Sequence, residues 1–577
     1  MTVSTAAREA PPVRTTTHRV MTIALVLIAA QLVVRAYVVA SGNFYWDDLI
    51  LTGRGSAFPL FSTDLLLYGH DGHFMPAAFV VAGLQARIAP LDWFLPAATS
   101  LIMQAAASYA VLRLLRKILG DTPILLLPLT FYLFAPLTLP SFAWWAAALN
   151  ALPLQFALAW VAGDALDYVR TRRRRYVVTG AVVTAVSLLF FEKSVVVPLF
   201  AFGVVAFVFG VRAAWKRAAP LWCSCGVVVA VWAVLFLIVV RAGLAFHGWR
   251  TTAELVHHGT SLGLVPTLVG GPWMWERWPP AGPWASPPLV LVVAAWVAVV
   301  VAVVFSLRRH WSVWAAVVGY VAVSVAVMVL SRSGPDTANE LAQTLRYVAD
   351  SSVVITVGAA LMLRSRAGGP VRRGWIVVAA VFVISSLVSS YTFVSKWQDD
   401  PAGDYLATAK HSLADHRDIP LLDQAVSPWV LTPLAYPENS AARIFGSLDP
   451  NFASSTPVLQ YLDDSGHVVP AVVSPSRSIT QGPEAGCGYR VGNRTRMPLD
   501  AAVPNWDWTV QLNYFSDGDS VVDLELDTGD AVSVPLRSGL NTVYVRLTGA
   551  GSAVTASTTG EVCIGSGPLG VVMLANS

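Results

Sequence analysis

A chain of 577 residues in which 55% are hydrophobic and 13% charged, with a mean hydropathy of +0.59, lies far from a soluble protein, where about a quarter of the residues carry charge. Its formal net charge of +4 is small, and the Lys and Arg residues cluster in short segments between apolar runs, so their placement says more than their sum. Four cysteines in so long a chain exclude a disulfide scaffold, and their spacing offers no zinc-finger pattern. What remains is a polytopic α-helical membrane protein.

In chain order, residues 1–19 form a basic tail with Arg8, Arg14 and Arg19, expected in the cytoplasm. The apolar run at 20–40 exceeds the roughly 7 to 15 residues of a signal-peptide core and reads as an uncleaved first span, with one awkward charge at Arg35. Residues 74–88 are apolar, but a crossing there would leave Arg113, Arg116 and Lys117 on the far side, against the positive-inside rule. With Pro76 near its start and Pro90 after it, this piece is expected to lie along the outer interface as a helix. Further spans are expected at 93–112, 123–139, 151–166, 177–191, 194–210, 221–240, 288–306, 311–330, 346–363 and 375–393. That is about eleven in all, at roughly 20 apolar residues per crossing, with every major basic cluster on one side. The composition fits a bacterial inner membrane.

From residue 396 the apolar runs shorten and Asp, Ser, Gly and Pro rise. Residues 396–483 are expected to mix a helix (404–415) with strands at 419–422 and 429–431. Residues 484–577 alternate apolar and polar over short runs (508–514, 520–526, 531–535, 542–547) between Asp-Gly and Ser-Gly turns, the pattern of an antiparallel, jelly-roll-like β-sandwich. Cys487 and Cys563 bracket this tail; outside the cytoplasm a disulfide between them is expected.

The polar residues that stand out follow the first span. Asp47 and Asp48, in Phe44-Tyr45-Trp46-Asp47-Asp48, are expensive beside a membrane unless water, a cation or a substrate uses them. Such a pair can share a proton, act as general base, or bind a divalent cation; it can equally cap a helix N-terminus. His70-Asp71-Gly72-His73 offers two imidazoles and a carboxylate as proton carriers or ligands, or simply a polar turn. A metal set, if there is one, is expected from Asp47, Asp48 and His73, with magnesium, manganese or calcium as the ion. Glu192-Lys193 interrupts an apolar hairpin, where Lys193 can meet an anion or snorkel from an exposed turn. Arg346-Tyr347 begins a late span on the side where basic residues are disfavoured, and an arginine there can hold a phosphate through a bidentate fork. The loop at 241–287 carries Trp273, Trp275 and other tryptophans that suit either a sugar ring or a membrane belt. No GxGxxG or Walker A segment occurs in a plausible context, so neither nucleotides nor nucleic acid are expected as partners.

A first span ending in an acidic pair, then His73-Phe-Met-Pro76 opening an interfacial helix, a second span ending in Leu-Leu-Arg116-Lys117-Ile-Leu-Gly120 and a late Arg346-Tyr347, resembles the GT-C superfamily of membrane glycosyltransferases. A membrane core (20–395) followed by a distal sandwich is similar to the actinobacterial arabinofuranosyl- and mannosyltransferases of the cell envelope. The resemblance implies a polyprenyl-phosphate-linked sugar as donor and an envelope glycan, lipid or protein as acceptor. It implies Asp47 or Asp48 as general base and Arg346 with Tyr347 and Lys193 on the carrier phosphate; His70, Asp71, His73, Glu192, Trp273 and Trp275 are expected, from their own chemistry, to meet the substrate or acceptor or to assist a metal. The helix after Pro76 departs from the usual His-Gly-Pro-Leu-Tyr pattern of the family. Two other classes compete: a non-enzymatic sugar-binding scaffold, and a transporter or flippase of lipid-linked sugars. A transporter calls for charges deep within several spans; here the polar residues crowd the expected outer ends.

Overall fold

A computed structural model describes residues 13–240, 243–367 and 372–575. The chain divides into two compact units, one of Met1–Leu51 with Phe58–Asp400, the other of Thr52–Ala57 with Pro401–Ser577.

Among the described residues of the first unit, eight helices are long and apolar enough to cross a membrane: His18–Ala40, Phe94–Leu119, Pro123–Ala143, Trp145–Thr171, Glu192–Phe209, Val211–Val239, Leu289–Arg332 and Arg373–Trp397. Length explains the difference from the expected eleven. Leu289–Arg332 has 44 residues and leaves helical geometry at His310 (φ −132°, ψ 27°), which marks where two expected spans meet. Two other expected spans are short: Arg175–Leu188 has 14 residues and Ser351–Leu363 has 13. At 1.5 Å per residue each covers about 20 Å of a roughly 30 Å hydrocarbon layer. The 3₁₀ turn Arg346–Val348 precedes the second.

The helix expected after Pro76 is present as Pro76–Ile88, with proline in the first turn where its missing N–H costs nothing. It buries Ala78, Phe79, Ala82, Gly83 and Ala86, a stripe of mostly small side chains at helical spacing, against the rest of the unit. Residues 141–150, between the spans expected at 123–139 and 151–166, are mostly helical, because Trp145–Thr171 begins there. The 241–287 stretch is also more ordered than a loop: helix Trp249–His257 runs on through a π turn, His258–Leu264, and a short hairpin pairs Trp275–Glu276 with Trp284–Ala285.

The second unit opens with helix Pro401–Asp415, as expected, and a parallel pair, Leu421–Leu422 with Phe452–Ala453. Trp429–Leu431, expected as a strand, lies in a turn and bend, since Val430 and Leu431 direct their N–H groups back to the Ser427 carbonyl. The other strands form a ten-stranded sheet whose seven-strand path is Val532–Leu536, Ser520–Thr528, Gly539–Thr558, Thr495–Ser516, Gly567–Leu574, Val468–Ile479, Gln460–Leu462, with Ser455–Thr456, Tyr489–Val491 and Val562–Ile564 joined beside it. Alternation places Val522, Leu524 and Leu526 with Val543, Val545 and Leu547 in one buried core. The boundary expected at 484 falls inside this unit, because Val468–Ile479 pairs along Gly567–Leu574. Gly529 and Gly549 face one another across neighbouring strands at positive φ, and a Cβ on either would lie 2.0 Å or less from the opposite carbonyl oxygen. Cys487 and Cys563 are bonded, tying the Glu484–Gly488 turn to the strand Val562–Ile564.

Candidate active site

The acidic pair opens helix Asp47–Ala57, and the two carboxylates have different jobs. Asp48 is fully buried; its Oδ2 accepts the Tyr45 N–H at 3.0 Å and its Oδ1 accepts the Ala146 N–H at 2.7 Å. It therefore closes its own helix N-terminus and satisfies an orphan donor in the first turn of Trp145–Thr171. Burial pushes its carboxyl well above the usual carboxylate range, against the pull of those two N–H groups.

Asp47 keeps about a quarter of its side chain exposed, and its Oδ1 lies 3.2 Å from His70 Nε2. Burial would raise this carboxyl too, but the His70 hydrogen bond and the positive field of its neighbours, Arg346 among them, hold it below its ordinary value. Asp47 is thus an ionised carboxylate open to a ligand.

His70 and His73 pair through both backbone hydrogen bonds, at 3.0 and 2.7 Å, across a two-residue turn with positive φ at Asp71 and Gly72. The turn separates the two rings: His70 goes to Asp47, while His73 Nδ1 meets Glu192 Oε1 at 2.8 Å. Arg332 donates to His73 Nε2 at 2.5 Å, which leaves Nδ1 as the protonated nitrogen that donates to Glu192. Arg332 also pairs with Asp71. Among the described residues no three His, Cys, Asp or Glu side chains converge as ligands, and the expected set of Asp47, Asp48 and His73 is not gathered. Both Asp48 oxygens are taken by backbone donors, and both His73 nitrogens by Glu192 and Arg332.

The two expected phosphate holders also differ. Lys193 Nζ lies 2.7 Å from Asp350 Oδ1 and 3.0 Å from the Tyr347 carbonyl oxygen, and Asp350 takes a further bond from the Tyr320 hydroxyl. Its charge is spent inside the protein. Arg346 lies over the rings of Trp144 and Tyr347 at 4.6 and 4.8 Å and donates to the Tyr347 hydroxyl at 2.7 Å. Among the described residues no carboxylate comes within 4.0 Å of it. Asp47 and Arg346 act on one another's charge without pairing. Both follow a non-glycine residue in the left-handed region, Trp46 at φ 46° and Leu345 at φ 62°, so backbone strain is held at both places by their surroundings.

Around them runs an aromatic wall. Tyr45 meets Trp144 at 5.1 Å and Trp397 at 5.3 Å between ring centroids, and its hydroxyl donates to the Pro280 carbonyl. Arg277, fully buried, lies over Tyr45 and Trp397 at 5.6 and 5.7 Å and pairs with Asp400 at 3.0 Å. Trp275 is structural: its Nε1 donates to the Ser389 carbonyl and its ring packs on Phe393. Trp273 is partly exposed and is held by Ser385 and Ser389 of helix Arg373–Trp397. Neither tryptophan touches Asp47 or Arg346; Phe393 and Trp397 connect Trp275 to Tyr45.

No known protein-family profile matches the chain, and no curated protein matches it either. Solved structures similar to it include two arabinosyltransferases. One is a mycobacterial arabinofuranosyltransferase, AftD, at 13% identity and a TM-score of 0.38, with 96% of this chain and 61% of that one covered. The other is the arabinosyltransferase EmbB of Mycobacterium smegmatis, at 12% identity and a TM-score of 0.25, with 99% and 66% covered. The chain therefore spans about three fifths to two thirds of the length of these proteins.

Arg332, Asp350 and Arg277 join the site without having been among the expected residues. Arg332 lies just past the expected 311–330 span, on the side where basic residues are disfavoured, and the rule that singled out Arg346 applies to it equally. Asp350 is an acid inside an expected span, itself a functional signal. Arg277, in the 241–287 loop on that same side, carries the same mark, but its partner Asp400 is remote in sequence.

Proposed function

We propose that the chain is a membrane glycosyltransferase that moves a sugar from a polyprenyl-phosphate carrier to an envelope glycan, lipid or protein on the extracytoplasmic side of a bacterial inner membrane. The observation that carries this reading is the opposition of an ionised, accessible Asp47 and an uncompensated Arg346. A carboxylate and a guanidinium that perturb each other yet stay unpaired leave room for a group that presents a proton to one and an anion to the other.

In the reaction, Asp47 takes the proton of an acceptor hydroxyl as its oxygen attacks the anomeric carbon. The bond from that carbon to the phosphate oxygen breaks, its electron pair stays on the phosphate, and the configuration at the anomeric carbon inverts. Arg346 meets the phosphate charge as it develops, the point at which an oriented cation lowers the barrier most. Tyr347 and Trp144 fix the guanidinium. Lys193, engaged by Asp350 and by the Tyr347 carbonyl, positions the Arg346 segment instead of touching phosphate. His70 orients Asp47.

The test is a transfer assay in membranes with polyprenyl-phosphate arabinose, mannose, glucose and galactosamine as donors. At least one supports transfer to an envelope acceptor, with inversion. No transfer from any of the four, with protein present at normal level, contradicts the reading. Cysteine labelling checks the orientation: a cysteine at position 71 reacts from outside and one at 173 only from inside.

A second reading, sugar binding by the β-rich unit without transfer, is favoured by one observation. That unit holds a cavity of about 410 Å³ lined by Asp423, Asn439, Arg443, Asp507 and Arg546, with Arg546 bridging Asp423 (3.2 Å) and Asp507 (2.8 Å). Charges compensated in this way suit a neutral, hydroxyl-rich ligand.

A further inference from the structure

At the other end of helix Phe94–Leu119 from Trp93, a second cavity of about 470 Å³ opens among three helices of the first unit. Its floor is basic: Arg113, Arg116, Lys117 and Arg170 against Asp121, Asp167 and, behind Arg113, Asp164, four positive and three negative charges, a net of +1. Three of the cations are already held by carboxylates: Arg113 by Asp164 (2.5 Å), Arg116 by Asp121 (2.6 Å) and Lys117 by Asp167. Arg170 is not. It is exposed, donates to the Lys117 carbonyl at 2.8 Å, and has no carboxylate within 4.0 Å among the described residues.

The wall of the cavity has the opposite character. Met21 and Leu25 from the first helix and Tyr109 from the second line it, and Leu25 and Tyr109 are more than half exposed. In a helix that crosses a bilayer, such side chains face acyl chains. The cavity is therefore amphipathic in one direction: an apolar side continuous with the lipid-facing surface, ending on a floor with surplus positive charge.

We propose that this cavity binds the headgroup of an anionic phospholipid from the leaflet on the Arg113–Lys117 side, its phosphate on Arg170 and on the Arg116 Nη1 that Asp121 leaves unused, and its upper acyl segments along Leu25 and Tyr109. A free phosphate would use the floor and leave the apolar wall idle. A zwitterionic lipid would fill the wall and bring no net charge to the floor. Only an anionic amphiphile satisfies both, and basic clusters at the cytoplasmic ends of spans are where such lipids are held.

The test uses the full chain in nanodiscs and in detergent, read by native mass spectrometry and thermal melting. Phosphatidylglycerol, phosphatidylcholine and inorganic phosphate are added separately. Phosphatidylglycerol is retained at one site per chain and raises the melting temperature; phosphatidylcholine and phosphate do neither. The double variant Arg116→Gln/Arg170→Gln loses roughly 30-fold in phosphatidylglycerol affinity, on the scale of two charges near a membrane surface. Arg116→Lys/Arg170→Lys, which keeps charge and fold, retains most of the binding, and Arg308→Gln/Arg309→Gln on another basic segment leaves it unchanged. Equal retention of phosphatidylglycerol by the glutamine and wild-type chains overturns the proposal, as does equal stabilisation by inorganic phosphate. A glutamine variant that does not melt cooperatively is replaced by Arg170→Gln alone, held to the same criteria.

Discussion

The two ends of helix Phe94–Leu119 manage charge in opposite ways. At the Arg113–Lys117 end, three of four cations are matched by carboxylates at short range, and only Arg170 is left over. At the Trp93 end, where Trp93 packs on Phe44, the Asp47 carboxylate and the Arg346 guanidinium stay apart with their charges exposed to one another. Matching costs side-chain freedom and returns a fixed structure; leaving two charges unmatched in a poorly solvated place costs stability, and persists where a ligand completes the set. The same contrast recurs at smaller scale within the Trp93 end, between Asp48, saturated by backbone donors, and Asp47, and between Lys193, saturated by Asp350, and Arg346.

The largest expected effect breaks a matched pair. Lys193→Met leaves Asp350, only 4% exposed, without its cation and costs about 3 to 5 kcal/mol, read as a large fall in the thermal-inactivation midpoint. Lys193→Met with Asp350→Leu recovers much of that loss. If the single variant is as stable as wild type, the lysine is not matched and the contrast with Arg346 fails.

Arg346→Gln comes next, with a loss of about 10² to 10³-fold in kcat at nearly unchanged stability, the scale of removing one donor from a developing anion. Arg346→Lys restores little, because an ammonium reproduces neither the fork nor the ring stacking over Trp144 and Tyr347. Transfer kinetics and melting, measured together, separate this outcome from misfolding.

Asp48→Ala strands the Tyr45 and Ala146 N–H groups, at about 1 to 3 kcal/mol each. Asp48→Asn, which still accepts through one oxygen, is milder. Hydrogen exchange at those two amides reports the damage directly.

The smallest effect is a pH shift. Asp47 has its carboxyl lowered in the fold, so its charged form persists as pH falls past the usual carboxylate range, and the stability tied to that charge is lost only on falling through the depressed value. His70→Gln removes the main opposition to burial, and the acid limb of kcat/KM moves to higher pH. A limb that stays in place shows that His70 does not set the ionisation of Asp47.

Much of this was legible in the chain and some was not, for identifiable reasons. Hydropathy located the spans, but it could not show that His310 interrupts one 44-residue helix or that two spans are short, since both depend on where backbone hydrogen bonds stop. Period-two alternation found the strands at 508–514 and 520–526, while Trp429–Leu431, too short for a period, went to a turn. Cys487 and Cys563 were legible from their setting. Asp47 and Asp48 are indistinguishable by type and position; they are separated by Ala146, 98 residues downstream of Asp48, and by His70. Lys193 and Arg346 are likewise separated by Asp350, whose distance from Lys193 in the chain is 157 residues. Which charge is free is a tertiary property.

The most direct measurement is the single-turnover rate of sugar transfer, with donor affinity, for Asp47→Asn and Asp48→Asn side by side in membranes. Asp47→Asn abolishes transfer while donor binding and melting stay near wild type, whereas Asp48→Asn lowers stability and keeps measurable transfer. Transfer at the wild-type rate by the Asp47→Asn chain, or loss of transfer in Asp48→Asn with its stability intact, would contradict this.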